Sequence, residues 1–273
     1  MSTRSSRRPP SHLAAIVVGA VCFWCAATGG QGVPIAGRIP DVVITGDPRP
    51  TPRLPDGHPD LGNGKGAWNP RVIANLSGAG RGGADRMPVE RRIEIPFLPW
   101  AKQAYDERMA NLGKDDPEAR CLPPGVPRVM ATPFPFQIFQ QPDRVIFLFE
   151  GAAHVWRVVF TDGRPHQKDP NPSFLGDSIG HWDGDTLVVD TIGFNDTTWL
   201  DQEGHPHTEQ LHTTERYTRR NEMTLHYEVT IDDPGAYTKP WTTSFTIPWA
   251  PGFELMEYIC QENNKDIPHL VGN

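Results

Sequence analysis

The chain lacks most of the features that assign a sequence quickly to a familiar class. Lys and Arg number 26 against 33 Asp and Glu, a formal net charge of −7. Nucleic-acid binding relies on clustered cations that neutralise phosphate, so this balance argues against nucleic acid as the main partner. The one long apolar run, Leu13 to Ala27, stops short of the roughly 20 residues a membrane-spanning helix needs. Gly-x-Ser-x-Gly is missing, as are the Rossmann and kinase fingerprints and His-Glu-x-x-His. The glycine tract Gly78 to Gly83 has no Gly-Lys-Ser/Thr ending, so it is not a phosphate loop. No cofactor is expected from these absences. No repeat with a period of 20–50 residues is visible. Cysteine is scarce, with four in 273 residues.

What is abundant is glycine (26) and proline (29). That excess disfavours a helical bundle and suits short strands joined by turns. Arg4, Arg7 and Arg8 precede the Leu13–Ala27 run, which ends in small residues at Cys25-Ala26-Ala27. A basic head, a short apolar core and a small-residue cleavage site describe a signal peptide over residues 1–27. It predicts a periplasmic or secreted protein with no stable membrane insertion after cleavage. Cys22 and Cys25 leave with the signal, and the remaining pair, Cys121 and Cys260, reads as one disulfide in an exported chain. Two buried free thiols are the alternative.

Residues 28–88 read as a Pro/Gly-rich arm or linker with little regular structure. Proline lacks a backbone donor, and glycine is costly to order. Residues 89–273 form the expected domain. A helix begins at Pro99 and carries Ala101, Tyr105, Met109 and Leu112 on one face before Gly113. Strands are predicted at 136–141, 144–150, 154–160, 178–182, 186–194, 211–218, 223–231, 241–247 and 253–260. The clearest alternation is Met223, Leu225, Tyr227, Val229 and Ile231 against polar neighbours. Sequential strands with short turns predict a mainly β fold, an antiparallel up-and-down β-barrel, because closure removes the exposed edges. A two-sheet sandwich is the runner-up.

The run Gly176-Asp177-Ser178-Ile179-Gly180-His181-Trp182-Asp183-Gly184-Asp185-Thr186-Leu187-Val188-Val189-Asp190, followed by Gly193-Phe194-Asn195-Asp196, resembles a family of exported bacterial proteins. Its Gly-x-Trp-x-Gly-Asp hairpin is similar to hairpins of lipocalin-like (calycin) barrels. The likeness covers residues 130–264, about half the chain. It implies a ligand-holding barrel and carries no catalytic assignment.

The densest polar stretch runs from Trp199 to Arg216 and contains His205, His207, Glu209, His212 and Glu215. Imidazoles beside carboxylates suit general acid–base catalysis, and a solvated polar loop is the bland alternative. Asp190, His205, His207 and Glu215 are the candidate catalytic residues. Asp190 shares a strand face with Val188 and Ile192, and Arg157 is its expected partner. A structural ion pair explains that pairing as readily as catalysis does. Arg157, Trp199, His212 and Tyr217 are candidate ligand contacts. His205 and His207 also share one side of an extended stretch, so with His212 or Glu209 they form an alternative metal site, although no established ligand spacing is matched. The leading expectation is binding of a small, partly apolar molecule inside the barrel, with acid–base turnover (hydration, elimination or isomerisation) as an extension. The alternatives are a metal-dependent enzyme using His205, His207 and His212, and a non-catalytic envelope interaction protein working through its arm.

Overall fold

The computed structural model of the protein describes residues 48–79, 92–151 and 155–262. The expected signal peptide over 1–27 and the parts of the expected arm at 28–47 and 80–88 lie outside the described residues.

Among the described residues, nine strands and one α-helix follow in chain order: β1 (Gly66–Trp68), α1 (Pro99–Ala110), β2 (Phe136–Gln141), β3 (Arg144–Phe149), β4 (Trp156–Phe160), β5 (Asp177–Asp183), β6 (Thr186–Ile192), β7 (His212–Asn221), β8 (Thr224–Asp232) and β9 (Trp241–Pro251). Each strand pairs with the next, and β1 pairs with both β2 and β9, so the sheet closes into a ring. The pairing is antiparallel except between β4 and β5. These run parallel and meet only at Val159–Ser178 and Phe160–Ile179. That pair corrects the expectation of a wholly antiparallel meander. Its cause is the long segment between the two strands, which brings β5 alongside the last two residues of β4 in the same direction instead of turning the chain back in a hairpin.

Hairpins at Gln141–Arg144 and Asp183–Thr186 hold two residues each between paired ends. In the second, Gly184 takes φ +58, a conformation that costs glycine nothing. Alternation decides which side chains enter the ring. Leu225, Tyr227, Val229 and Ile231 of β8 are fully buried, as are Leu187, Val189 and Thr191 of β6. Phe136, Phe147, Phe149, Tyr217 and Tyr227 pack ring against ring inside the closed sheet.

Two expected elements differ. Phe253–Cys260 is not a strand: Gly252 turns the chain at φ +69, and side chains hold the segment in place of a ladder. The Met256 N–H donates to Glu150 (2.8 Å), and Tyr258 packs on Phe134 at 4.7 Å. The closing strand is instead β1, inside the stretch read as an unstructured arm. Prolines flank it, but Leu61, Trp68 and Leu76 are fully buried. The Trp68 indole donates to the Leu61 carbonyl (2.7 Å), and the Asn63 amide donates to Gln140 Oε1 (2.9 Å) while its Oδ1 accepts from the Gln140 backbone N–H (2.7 Å). Closure also needs Gly66, where a Cβ would sit 2.4 Å from the Ala250 carbonyl oxygen. Residues 48–79 are therefore part of the packed structure.

Helix α1 starts at Pro99 as expected and buries Ala101. Leu112 is not on its inner face. It lies past the helix end at φ +63 and is 73% exposed. Arg108 takes the inner position, with its guanidinium over the Trp199 ring at 4.7 Å and one bond to the Gly204 carbonyl (2.9 Å). Cys121 and Cys260 stand at disulfide distance, with Cα atoms 5.6 Å apart, as expected, although Cys260 lies in a turn and not on a strand.

Candidate functional site

The ring interior holds a buried polar cluster on β4–β8. Arg157 points inward because it alternates with outward-facing Trp156 and Val158. Its Nε donates to Ser178 Oγ (3.0 Å), and its Nη2 donates to Thr191 Oγ1 (2.7 Å) and to the Glu215 carboxylate. The hydroxyls of Tyr217 (2.7 Å) and Tyr227 (3.0 Å) donate to the other Glu215 oxygen. The Arg157 and Glu215 side chains are 1% and 0% exposed. Burial opposes the Arg157 charge, but the Glu215 carboxylate more than offsets it, so the guanidinium is held more firmly protonated than usual. Burial and the same carboxylate push both tyrosines well above their ordinary range. One donor is left over. Arg157 Nη1 is buried and has no hydrogen-bond partner among the described residues.

Asp190 does not belong to this cluster, which corrects its expected pairing with Arg157. Asp190 does alternate with Val188 and Ile192, but that face lies outside the ring, while Val189 and Thr191 face in. There Asp190 joins a chain of charged groups. Asp177 Oδ2 meets His166 Nδ1 at 2.9 Å, His166 Nε2 meets Asp190 Oδ1 at 2.7 Å, and Asp190 Oδ2 meets His212 Nε2 at 2.7 Å. Partial burial lowers the His166 pKa, but the two carboxylates outweigh it and the net direction is up. Burial opposes ionisation of Asp190, and the two imidazoles bring its pKa down. His212 is half-exposed at the solvent end of this chain.

The loop between β6 and β7 is buried, not solvated. His205 Nδ1 contacts Asp201 Oδ2 at 2.6 Å, and the backbone N–H groups of Leu76, Glu203, Gly204 and His205 also converge on Asp201. The imidazole is packed among Phe97, Tyr105 and Trp241. His207 Nε2 lies 2.8 Å from Thr198 Oγ1, and burial pushes its pKa down. Trp199 is buried under Arg108. Acid–base candidates His205 and His207 and the expected ligand contact Trp199 are thus all buried against protein groups. His205, His207 and His212 each have a different partner, and no group of three or more metal-capable side chains gathers among the described residues.

A pocket of about 550 Å³ opens where β4 and β5 diverge. Since β5 pairs only with Val159 and Phe160, β4 runs along this pocket from Trp156 to Val158 with no strand partner on that side. Trp156, Val158, Phe160, Phe174 and Leu175 give it apolar walls, and Arg157, Asp177 and Ser178 give it polar ones. Trp156 is 66% exposed, an unusual state for so large an apolar ring. Arg157 and Ser178 lie along the pocket but turn their buried side chains into the ring, and Asp177 joins the pocket to the outer chain.

Of the sequence candidates, the structure brings together Arg157, Glu215 and Tyr217 in one place and Asp190 and His212 in another. His166, Asp177, Ser178, Thr191, Tyr227 and Asp201 were missed. Ser178 and Thr191 had a signal, as polar residues at inward positions of apolar strands. His166 sits in an irregular polar segment and had none. No protein family, curated protein or solved structure matches the chain.

Proposed function

We propose that the protein is an exported, lipocalin-like β-barrel that binds a small, partly apolar molecule, and that the ligand lies between β4 and β5 instead of at the barrel centre. The observation that carries this reading is the pocket of about 550 Å³ with mostly apolar walls and a few convergent polar groups, the usual composition of a small-molecule site. The barrel centre is filled by aromatic side chains and offers less room. The basic head and short apolar run of residues 1–27 support export. So does a cysteine pair at disulfide distance, because such bonds persist in oxidising compartments.

The test uses the neutral dye Nile red, whose emission shifts to the blue in apolar surroundings. It should saturate at one site per chain. Val158→Trp, an outward-facing change on the pocket wall, should abolish the shift while leaving thermal unfolding level. Unsaturable binding, or equal binding by the variant, would reject the pocket.

Acid–base turnover is a second reading, and it rests on a separate observation. Asp177 lines the pocket and begins the hydrogen-bonded series through His166 and Asp190 to half-exposed His212, a route along which a proton can pass between solvent and the pocket.

A further inference from the structure

Strand β4 is paired along its whole length on one side and at its last two residues on the other. Toward β3, every residue from Trp156 to Phe160 has a partner. Toward β5 the ladder is only Val159–Ser178 and Phe160–Ile179, and upstream of it the pocket opens. Alternation tells which main-chain groups are left over. The Phe149 N–H donates to the Val155 carbonyl (3.1 Å), so Val155 turns its main-chain groups toward β3, as do Arg157 and Val159 two and four residues on. Trp156 and Val158 turn theirs the other way, toward the pocket. There the N–H and C=O of Trp156 and the N–H of Val158 have no hydrogen-bond partner among the described residues.

A row of donors and acceptors at strand spacing is complemented by the main chain of another extended segment. The side chains around it narrow the segment further, given that the pocket is a ligand site as proposed above. Arg157 lies along the wall, but its side chain is 1% exposed and turned into the ring. Asp177 is held by His166 and Gln167 on its two oxygens. The wall therefore offers no unpaired charge, and a charged occupant would lose its hydration without a partner. A second copy of the chain is a poor fit, because its own β4 is flanked by its own β5 and only a single strand enters the gap.

We infer that the ligand is an uncharged, extended peptide segment that adds to β4 as a strand beside Trp156 to Val158, with a small side chain opposite Arg157 and apolar ones to either side. Residues opposite each other across a ladder share a face. A side chain opposite Arg157 points into the ring, where Arg157, Ser178 and Thr191 already fill the space. Side chains opposite Trp156 and Val158 lie on the outer face, where the 66% exposed Trp156 ring is available to cover them.

The probe is acetyl-Ser-Val-Ala-Val-Ser-amide, assayed by displacement of Nile red from the intact protein, with two analogues N-methylated at the alanine or at the valine that follows it. Successive amides of an added strand face opposite sides, so one methyl group falls toward β4 and the other away from it. Both analogues are more apolar than the parent, so a loss of affinity reports a lost main-chain bond. The parent should displace the dye. One analogue should bind roughly tenfold more weakly, about 1.4 kcal/mol, and the other as tightly as the parent. Equal affinity of the two analogues overturns the added strand, as does a parent peptide that leaves the dye in place at its solubility limit. In both cases saturable dye binding leaves the pocket standing, whereas dye that never saturates overturns the pocket itself. A concentration-dependent dimer in sedimentation that Val158→Trp dissociates makes a second copy the occupant and overturns the peptide assignment.

Discussion

Glu215→Gln separates a stabilising role for the interior cluster from a catalytic one. The substitution preserves volume, so it opens no cavity. Its amide oxygen can still accept from Tyr217 and Tyr227, which leaves those two bonds in place. What is lost is the negative charge facing Arg157 at a site where the two side chains are 1% and 0% exposed. Removing one partner of a buried ion pair costs about 3–5 kcal/mol, because the other charge is stranded. Domains are stable by only about 5–15 kcal/mol, so a large share of the total is at stake. At about 2–4 °C per kcal/mol for a domain of this size, the melting temperature should fall by about 6–20 °C. Urea unfolding followed by tryptophan fluorescence and near-ultraviolet circular dichroism measures the loss directly. A control removes both charges with Arg157→Met and Glu215→Leu, together with Tyr217→Phe and Tyr227→Phe so that no hydroxyl is left without an acceptor. It should recover most of the loss, since apolar replacement of a buried pair is often neutral or stabilising. A Glu215→Gln variant melting within about 2 °C of the native protein would refute this reasoning and return Glu215 to the catalytic candidates.

Other predictions concern separate parts of the molecule. His166 has a raised pKa, so its stabilising contribution is complete below its unfolded value near 6.5 and is lost as pH rises through the folded value. His166→Gln should flatten the alkaline side of the plot of melting temperature against pH, and an unchanged slope would contradict the chain to Asp177 and Asp190. His207 behaves in the opposite sense: its pKa is lowered by burial, so stability is present above about 6.5 and falls as pH drops through the folded value. Its ring signals in an NMR titration should stay those of neutral imidazole below the ordinary histidine range. Trp68→Ala should destabilise by about 3–5 kcal/mol, the usual cost for a buried large aromatic, whereas a dispensable arm would tolerate it. Cys121→Ser with Cys260→Ser should cost about 2–5 kcal/mol, and non-reducing mass spectrometry should recover a linked peptide from the native chain.

The strands of the second half of the chain were legible because their alternation is strict. Leu225, Tyr227, Val229 and Ile231 announce a buried face, and the structure buries all of them. Which face of β6 looks inward was harder. Val188 and Ile192 are apolar and so are Leu187 and Val189, so apolar neighbours do not place Asp190, and register with β7 decides the matter. Strand β1 was hidden by its brevity, since Gly66–Trp68 is too short for any period and its flanks are rich in proline. The Asp177–His166–Asp190–His212 series joins residues from an irregular segment and three different strands. Only the pairing of those strands brings them together, and no local spacing encodes it.

Strand β1 has a kinetic consequence. It pairs Gly66 with Pro251 and Trp68 with Phe136, contacts that join the early part of the chain to its far end. Loop closure must be completed before such distant contacts can stabilise anything, so β1 is expected to dock late, after the β2–β9 order has formed from its near-neighbour hairpins. Until then the sheet is an open strip with two free edges, β2 and the long strand β9. Free strand edges are templates for pairing with another chain. The three residues of β1 therefore act as a fastener whose absence is felt first as aggregation during refolding. Soluble yield, rather than melting temperature, is the quantity most sensitive to changes at Gly66, because a side chain there blocks the step that hides both edges.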